Sequence, residues 1–250
     1  MSYKKREFAN KEIYHLVLRG LDNNLIFKDE DDYYRGIFSV YEFNNEKPIK
    51  IRERRKTNLK SKKRKTITGT SYIEVDDREK LVDVLAFCFM PDHVHLLVRQ
   101  LKEGGITKFM RKVGTGYGSY FNKKYGRRGY VFQNRFASAH VKDGIQLRIV
   151  FVYIHASPAS LVEAGLKERG IENPPGVLKF LLKYKWSSYP DYLSKKNFPT
   201  VTERRSILSE MGGGEGCKKA VSSWIKYKSE TSKFPDLASL ILESTQDGPV

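Results

Sequence analysis

The sequence is poor in cysteine, in acid and in long apolar runs. Cys88 and Cys217 are the only two cysteines and lie far apart with no CxxC partner, so they support neither a disulfide framework nor a zinc knuckle and read as core thiols. The longest uninterrupted apolar runs, Val84 to Met90 and Ile149 to Ile154, fall far short of the ~20 residues a membrane-spanning helix needs. Met1 to Glu7 opens with charge rather than the apolar stretch of a signal peptide, so the expectation is a soluble, cytoplasmic protein. Acids number 29 against 46 Lys and Arg, a formal charge of +17 over 250 residues. What remains is enough to fold. With 14 Phe, 15 Tyr and 40% hydrophobic residues, disorder throughout is excluded, and the length suits one substantial core, or one core with a small appendage.

The positive charge is concentrated. Lys50 to Lys65 reads KIRERRKTNLKSKKRK, ten basic residues and one acid, and so supplies +9 of the total. Like charges with few apolar groups between them read as a solvated insertion, placed at 47–68, that can bind polyanions through backbone contact. Lys108 to Lys142 is different, with nine Lys or Arg, no acid, and eight aromatics including Tyr117, Tyr120, Phe121, Tyr125, Tyr130, Phe132 and Phe136. Cations follow a phosphate backbone and exposed rings stack on unpaired bases, so this composition suits single-stranded or distorted nucleic acid. Rings at helical spacing more often pack inward, so most of these are also core candidates. Arg111, Lys112, Lys123, Lys124, Arg127, Arg128 and Arg135 are the candidate DNA contacts.

Pattern and punctuation suggest the elements. Glu12 to Arg19 reads as a strand ending at Gly20, followed by a helix from about Asp31 to Phe43. Ser71 to Val75 is a possible short strand. Leu81 to Met90 and His93 to Gln100 form strands around a Pro91-Asp92 turn, with His93 and His95 on one face of the second. A helix is expected from Ile106 to about Tyr125, weakened by Gly114, Gly116 and Gly118 and stopped by Gly126. Asp143 to Gln146 matches a capping box that starts a helix running to Ser157, although the β-branched run IVFVYI from Ile149 reads locally as strand. From Leu161 onward the expectation is short helices around Gly176 to Tyr184, Thr202 to Met211 and Cys217 to Tyr227. Gly212 to Gly214 form a break and Asp236 to Val250 a fraying tail.

Among the five histidines, His93 and His95 form an HVH triplet whose alternation puts both imidazoles on one side of a strand, within reach of one divalent ion. The surrounding string FCFMPDHVHLLV resembles the signature of single-tyrosine HUH transposases, of the IS200-like and REP-associated kind. Further strings agree in order: IYHLVLRG with LIFKDEDDYY near the start, YFNKKYGRRGYVFQNRF in the middle, then YIHASPASLVEAGL and KWSSYPDYL. The likeness spans roughly residues 8 to 190.

The resemblance implies a ferredoxin-like α+β domain at 1–160 and a C-terminal helical extension and tail at 161–250. It implies that His93 and His95 bind Mg²⁺ or Mn²⁺, and that Tyr153 attacks a DNA phosphate to leave a 5′-phosphotyrosine and a free 3′-OH. Tyr117, Tyr120 and Tyr125 compete for the nucleophile's role. The implied partner is single-stranded or hairpin DNA, with no small-molecule cofactor and no membrane, and with monomer and homodimer both open. Where the family usually carries an amide one turn beyond the tyrosine, this chain has Ser157, a shorter and weaker third ligand. Looser metal binding, recruited water and lost activity are all open consequences. His155, two residues from Tyr153 on a helix, points about 200° away. Asp92 and His15 are candidates to orient the ligating histidines, and read more readily as a turn former and a core histidine. Two other readings stay open: a catalytically silent nucleic-acid-binding protein on the same scaffold, and a metal-dependent nuclease that uses water.

Overall fold

Side-chain alternation decides which way each strand faces. In β1 (Ile13–Arg19), Leu16 and Leu18 point to one side and His15, Val17 and Arg19 to the other. β2 (Val82–Phe89) and β3 (His93–Gln100) are almost wholly buried, as the apolar runs suggested. The structure, a computed structural model, describes residues 7–49, 76, 78–133, 135–163 and 165–230. Most of the basic insertion, the possible strand at Ser71 to Val75 and the tail at Asp236 to Val250 lie outside the described residues.

The sheet order is β2-β3-β1-β4, and every neighbouring pair is antiparallel. α1 (Glu30–Phe43) connects β1 to β2, and α2 (Gly105–Lys124) connects β3 to β4 (Ala137–Val141). This is the ferredoxin-like βαββαβ arrangement that the resemblance implied. β4 is an addition to the sequence reading. Its residues are mostly half-buried and carry no apolar alternation, and backbone pairing with β1 holds it as an edge strand.

α1 and α2 pack against each other on the Leu16 face, where Gly116 sits so close to the Phe43 ring that any Cβ there would collide with it. Asp29 caps α1 by accepting from the Asp32 amide, and Gly126 ends the α2 turn at a φ of +62°. α3 (Gly144–Ala156) follows β4 and crosses the opposite face. The N-cap half of the box is realised there, with Asp143 Oδ1 accepting from the Gln146 amide at 2.7 Å, while Gln146 Oε1 accepts from the Lys142 amide at 2.8 Å in place of that of Asp143. The β-branched run is therefore helical. Val150, Phe151, Val152 and Ile154 are all buried, so packing overrides local strand preference.

Among the described residues, the longer helices that follow are α4 (Pro174–Leu181), α5 (Arg205–Met211) and α6 (Gly213–Glu230), with single turns at Leu166–Arg169 and Tyr189–Tyr192. α5 and α6 pack on α3, and Arg148 of α3 pairs with Glu210 of α5 at 3.0 Å. The glycine break is narrower than the sequence suggested: Gly212 closes α5 at a φ of +75°, and α6 already starts at Gly213. Both cysteines are buried and free, as expected. Among the described residues, no helix is long and apolar enough to cross a membrane.

Candidate active site

The β1/β3 register does what neither strand's sequence reveals. His95 pairs with Val17 and His15 with Leu97, which sets the His15 and His95 rings diagonally on the same face. His15 Nε2 lies 3.1 Å from His95 Nδ1, and His95 Nε2 lies 3.0 Å from His93 Nε2. Three imidazoles form a row. Asp92 closes its outer end, accepting from His93 Nδ1 at 2.6 Å and pairing with Arg19 at 3.4 Å. The inner end is open, because His15 Nδ1 is buried with no hydrogen-bond partner among the described residues. His15 is thus in the row, and not merely a packing residue.

Burial, reinforced by the charge of His93, pushes the His15 imidazole down to about 3. Burial also holds His95 well below its ordinary value, with His93, His15 and Arg19 adding to the effect. Both are therefore neutral at physiological pH, the state in which imidazole ligates metal. Burial alone would raise the Asp92 carboxyl, but its hydrogen bond to His93, the charge of His93 and that of Arg19 outweigh this and leave it lowered. In a neutral His93 the Nδ1 proton held by Asp92 would leave Nε2 as the lone pair, so Asp92 favours the ligating tautomer.

Two nitrogen ligands about 2.1 Å from one octahedral ion and at right angles stand about 3.0 Å apart. The His93 and His95 Nε2 atoms show that spacing, so the pair fits a divalent cation. The pair does not complete a site alone. Among the described residues, no group of three or more His, Cys, Asp or Glu is arranged to hold an ion. The Ser157 hydroxyl donates to the Tyr153 carbonyl at 2.7 Å, so its proton is engaged on the helix backbone.

α3 carries Tyr153 onto this face. Its ring is edge-on to His95 at 5.3 Å and to His15 at 5.8 Å between centroids, and it is half-buried. The competing tyrosines lie elsewhere. Tyr117 is buried and donates to the Ile26 carbonyl. Tyr120 and Tyr125 donate to Asp32 at 3.0 and 2.7 Å. Burial, with the neighbouring Asp32 charge, raises all three phenols, Tyr125 to about 12. A phenol so placed is a poorer nucleophile than an ordinary one.

His155 faces away from Tyr153, as helical spacing required. It is buried, and its Nδ1 donates to the Phe151 carbonyl at 2.9 Å. That bond fixes the tautomer, so Nε2 accepts from the Ser188 hydroxyl at 2.8 Å. Ser188 Oγ in turn accepts from the Phe87 amide of β2 at 3.0 Å. The segment around Trp186 lies along β2, with Phe89 N donating to Trp186 O at 2.9 Å. The KWSSY string therefore clamps α3 to the strand that neighbours the histidines. Sequence reading recorded that string without assigning it this task.

The basic candidates divide. Lys112 donates to the carbonyls of Asn45 and Lys47, and Lys124 pairs with Asp29 and Asp32 at 2.7 and 2.8 Å, so both are engaged inside the protein. Arg111, Lys123, Arg127, Arg128 and Arg135 are exposed. Arg111 borders a cleft of about 570 Å³ between α2 and residues 129–133 and 136.

Comparison with known proteins gives one family. Residues 47–157 match the family described as "Transposase IS200 like". No curated protein matches the chain. A solved structure of a REP-associated tyrosine transposase bound to a REP hairpin is 15% identical, with 82% of this chain and 96% of that chain covered and a TM-score of 0.46. The residues that match this family include His93, His95 and Tyr153.

Proposed function

We propose that the protein is a metal-dependent transesterase that cleaves and rejoins single-stranded DNA at hairpin or palindromic elements. Its nucleophile is Tyr153. The observation that carries this reading is the approach of the Tyr153 ring to His95 and His15, from a helix on the face that bears the histidine row.

His93 and His95 would hold Mg²⁺ or Mn²⁺ through their Nε2 atoms, with Asp92 and His15 orienting the two rings and Ser157 as a weak third ligand. A bound cation supplies charge that stabilises the phosphate oxygens as negative charge builds in the transition state. Tyr153 forms the new oxygen–phosphorus bond and gives up its phenolic proton, while the 3′ oxygen leaves and takes one. The product is a 5′-phosphotyrosine, whose ester keeps the bond energy so that a 3′-OH can reverse the step. The exposed arginines, with no acid between Lys108 and Lys142, suit a polyanionic strand.

The test uses labelled single strands that contain hairpins, incubated with Mn²⁺ and run on a denaturing gel. A protein-linked DNA band is expected, and Tyr153→Phe abolishes it. A band that persists in Tyr153→Phe removes Tyr153 from the mechanism. Cleavage without a linked band, unaffected by Tyr153→Phe, points to a water-using nuclease. The engagement of the Ser157 hydroxyl on the Tyr153 carbonyl favours one second reading, a silent hairpin-binding protein. In that case DNA binds, Tyr153→Phe changes nothing, and no band forms with any metal.

A further inference from the structure

On the opposite face of the sheet from the histidines, the cleft between α2 and residues 129–133 and 136 has features that packing does not explain. Gly114 and Gly118 lie one turn apart on its wall. Each weakens the helix relative to Ala. Gly116 has a reason within the fold, since the Phe43 ring fills the place of its Cβ. Gly114 and Gly118 have none. A Cβ at Gly114 would meet only Phe132, at 3.9 Å, and one at Gly118 only Val131, at 3.8 Å, both ordinary contacts. Their missing side chains leave room in the cleft, as backbone does where a ligand comes close.

The rim is built for an anion and a flat ring. Arg111 and Tyr130 both border the cleft, and Tyr130 is 80% exposed, with no ring contact to any described residue. Asn122 adds an unanswered acceptor in the wall: its side-chain nitrogen donates to the Gly129 carbonyl at 2.8 Å, and its Oδ1 is buried without a partner among the described residues. No acid lies between Lys108 and Lys142, the stretch that supplies all of the cleft but Leu18 and Thr107. The volume, about 570 Å³, is that of a small-ligand site.

The cleft also leads toward the histidine row. Its wall residue Gln133 donates its amide to Arg19 O at 2.9 Å, and Phe132 is bridged to Gly20. Gly20 donates in turn to Asp92 O at 2.8 Å, beside His93. The end of β1 lies between the two.

We propose that this cleft seats one unpaired nucleotide of the DNA strand, with its base stacked on Tyr130 and its phosphate on Arg111. The proposal rests on the reading of single-stranded DNA as substrate and adds to it the place where sequence is sensed before the strand reaches Tyr153. Gly114 and Gly118 let the sugar and base lie against the helix.

The test measures binding of a fluorescent hairpin-bearing single strand by anisotropy, alongside thermal unfolding of the same proteins. Tyr130→Ala is expected to weaken binding by roughly 5- to 150-fold, the usual value of one stacked base, and Tyr130→Phe to restore it. Gly114→Ala and Gly118→Ala are expected to weaken binding while leaving the unfolding temperature unchanged or raised, a pairing that a structural role would not give. A scan of abasic sites along the strand should find one position where the lesion weakens wild-type binding and Tyr130→Ala then adds nothing. If wild-type protein binds the strand and these variants bind as tightly, the cleft is not the seat of a nucleotide, and the DNA reading stands. An equal loss at every abasic position also overturns the proposal. If wild-type protein neither binds the strand nor forms the linked band, the DNA reading fails and takes this proposal with it.

Discussion

His15 and His155 lie on different elements and are equally hidden from solvent, and burial pushes both imidazoles down to about 3. Their bonding is opposite. His155 has both nitrogens engaged, one on the Phe151 carbonyl and one on Ser188, and joins α3 to β2. His15 has one nitrogen against His95 and the other without a partner among the described residues. Burial and a depressed pKa therefore do not separate a histidine that holds the fold from one that faces a site. Hydrogen-bond satisfaction does, because a buried polar atom left unpaired costs stability that the fold alone gives no reason to bear.

The largest expected effect is on the satisfied member. His155→Leu leaves the Ser188 hydroxyl and the Phe151 carbonyl short of a partner, and should cost about 2–4 kcal/mol in urea unfolding. A loss below about 1 kcal/mol would break the contrast. His15→Leu deletes one hydrogen bond together with an unpaired nitrogen. Its stability should stay within about 1 kcal/mol of the parent, while Mn²⁺ affinity by calorimetry falls roughly 10- to 100-fold as His95 loses its orienting partner. Unchanged Mn²⁺ binding would return His15 to the core.

Acid should act on both. Each imidazole is neutral in the fold and takes its proton near 6.5 once unfolded, so between pH 6.5 and about 3 the unfolded chain binds more protons. Stability is then full above that window and falls as the pH drops through it, by up to about 1.4 kcal/mol per pH unit for each histidine. A pH series of urea midpoints should show a shallower slope in His155→Leu than in the parent, and an unaltered slope would count against its buried neutral state. The smallest effect is at Ser157. Ser157→Asn supplies an amide in place of a hydroxyl engaged on the backbone, and should tighten Mn²⁺ by about 1 kcal/mol, or about fivefold.

The strands and helices that bear the site were legible wherever periodicity and caps agreed. β1, β3 and α1 match the sequence reading to within a residue or two, and the Asp143 cap correctly outweighed the strand preference of the run that follows it. β4 was not legible, because an edge strand held by backbone pairing needs no apolar alternation. The role of His15 was not legible either. It depends on strand register, which joins residues 80 positions apart and leaves no local trace. Charge was legible as composition but not as availability. Lys112 and Lys124 look like Arg127 and Arg128 in sequence, and only the fold shows that the first two already have partners.

The clamp has a consequence for where the protein can be divided. Ser188 lies well past residue 157, where the family match stops, and it meets His155 only two residues from Tyr153. A fragment ending near residue 160 would keep every side chain named for the chemistry and lose the latch that sets how the phenol's helix rests on the sheet. In such a fragment, weak strand transfer would be a failure of aim rather than of reactivity, and supplying the missing stretch as a separate peptide should bring the activity back.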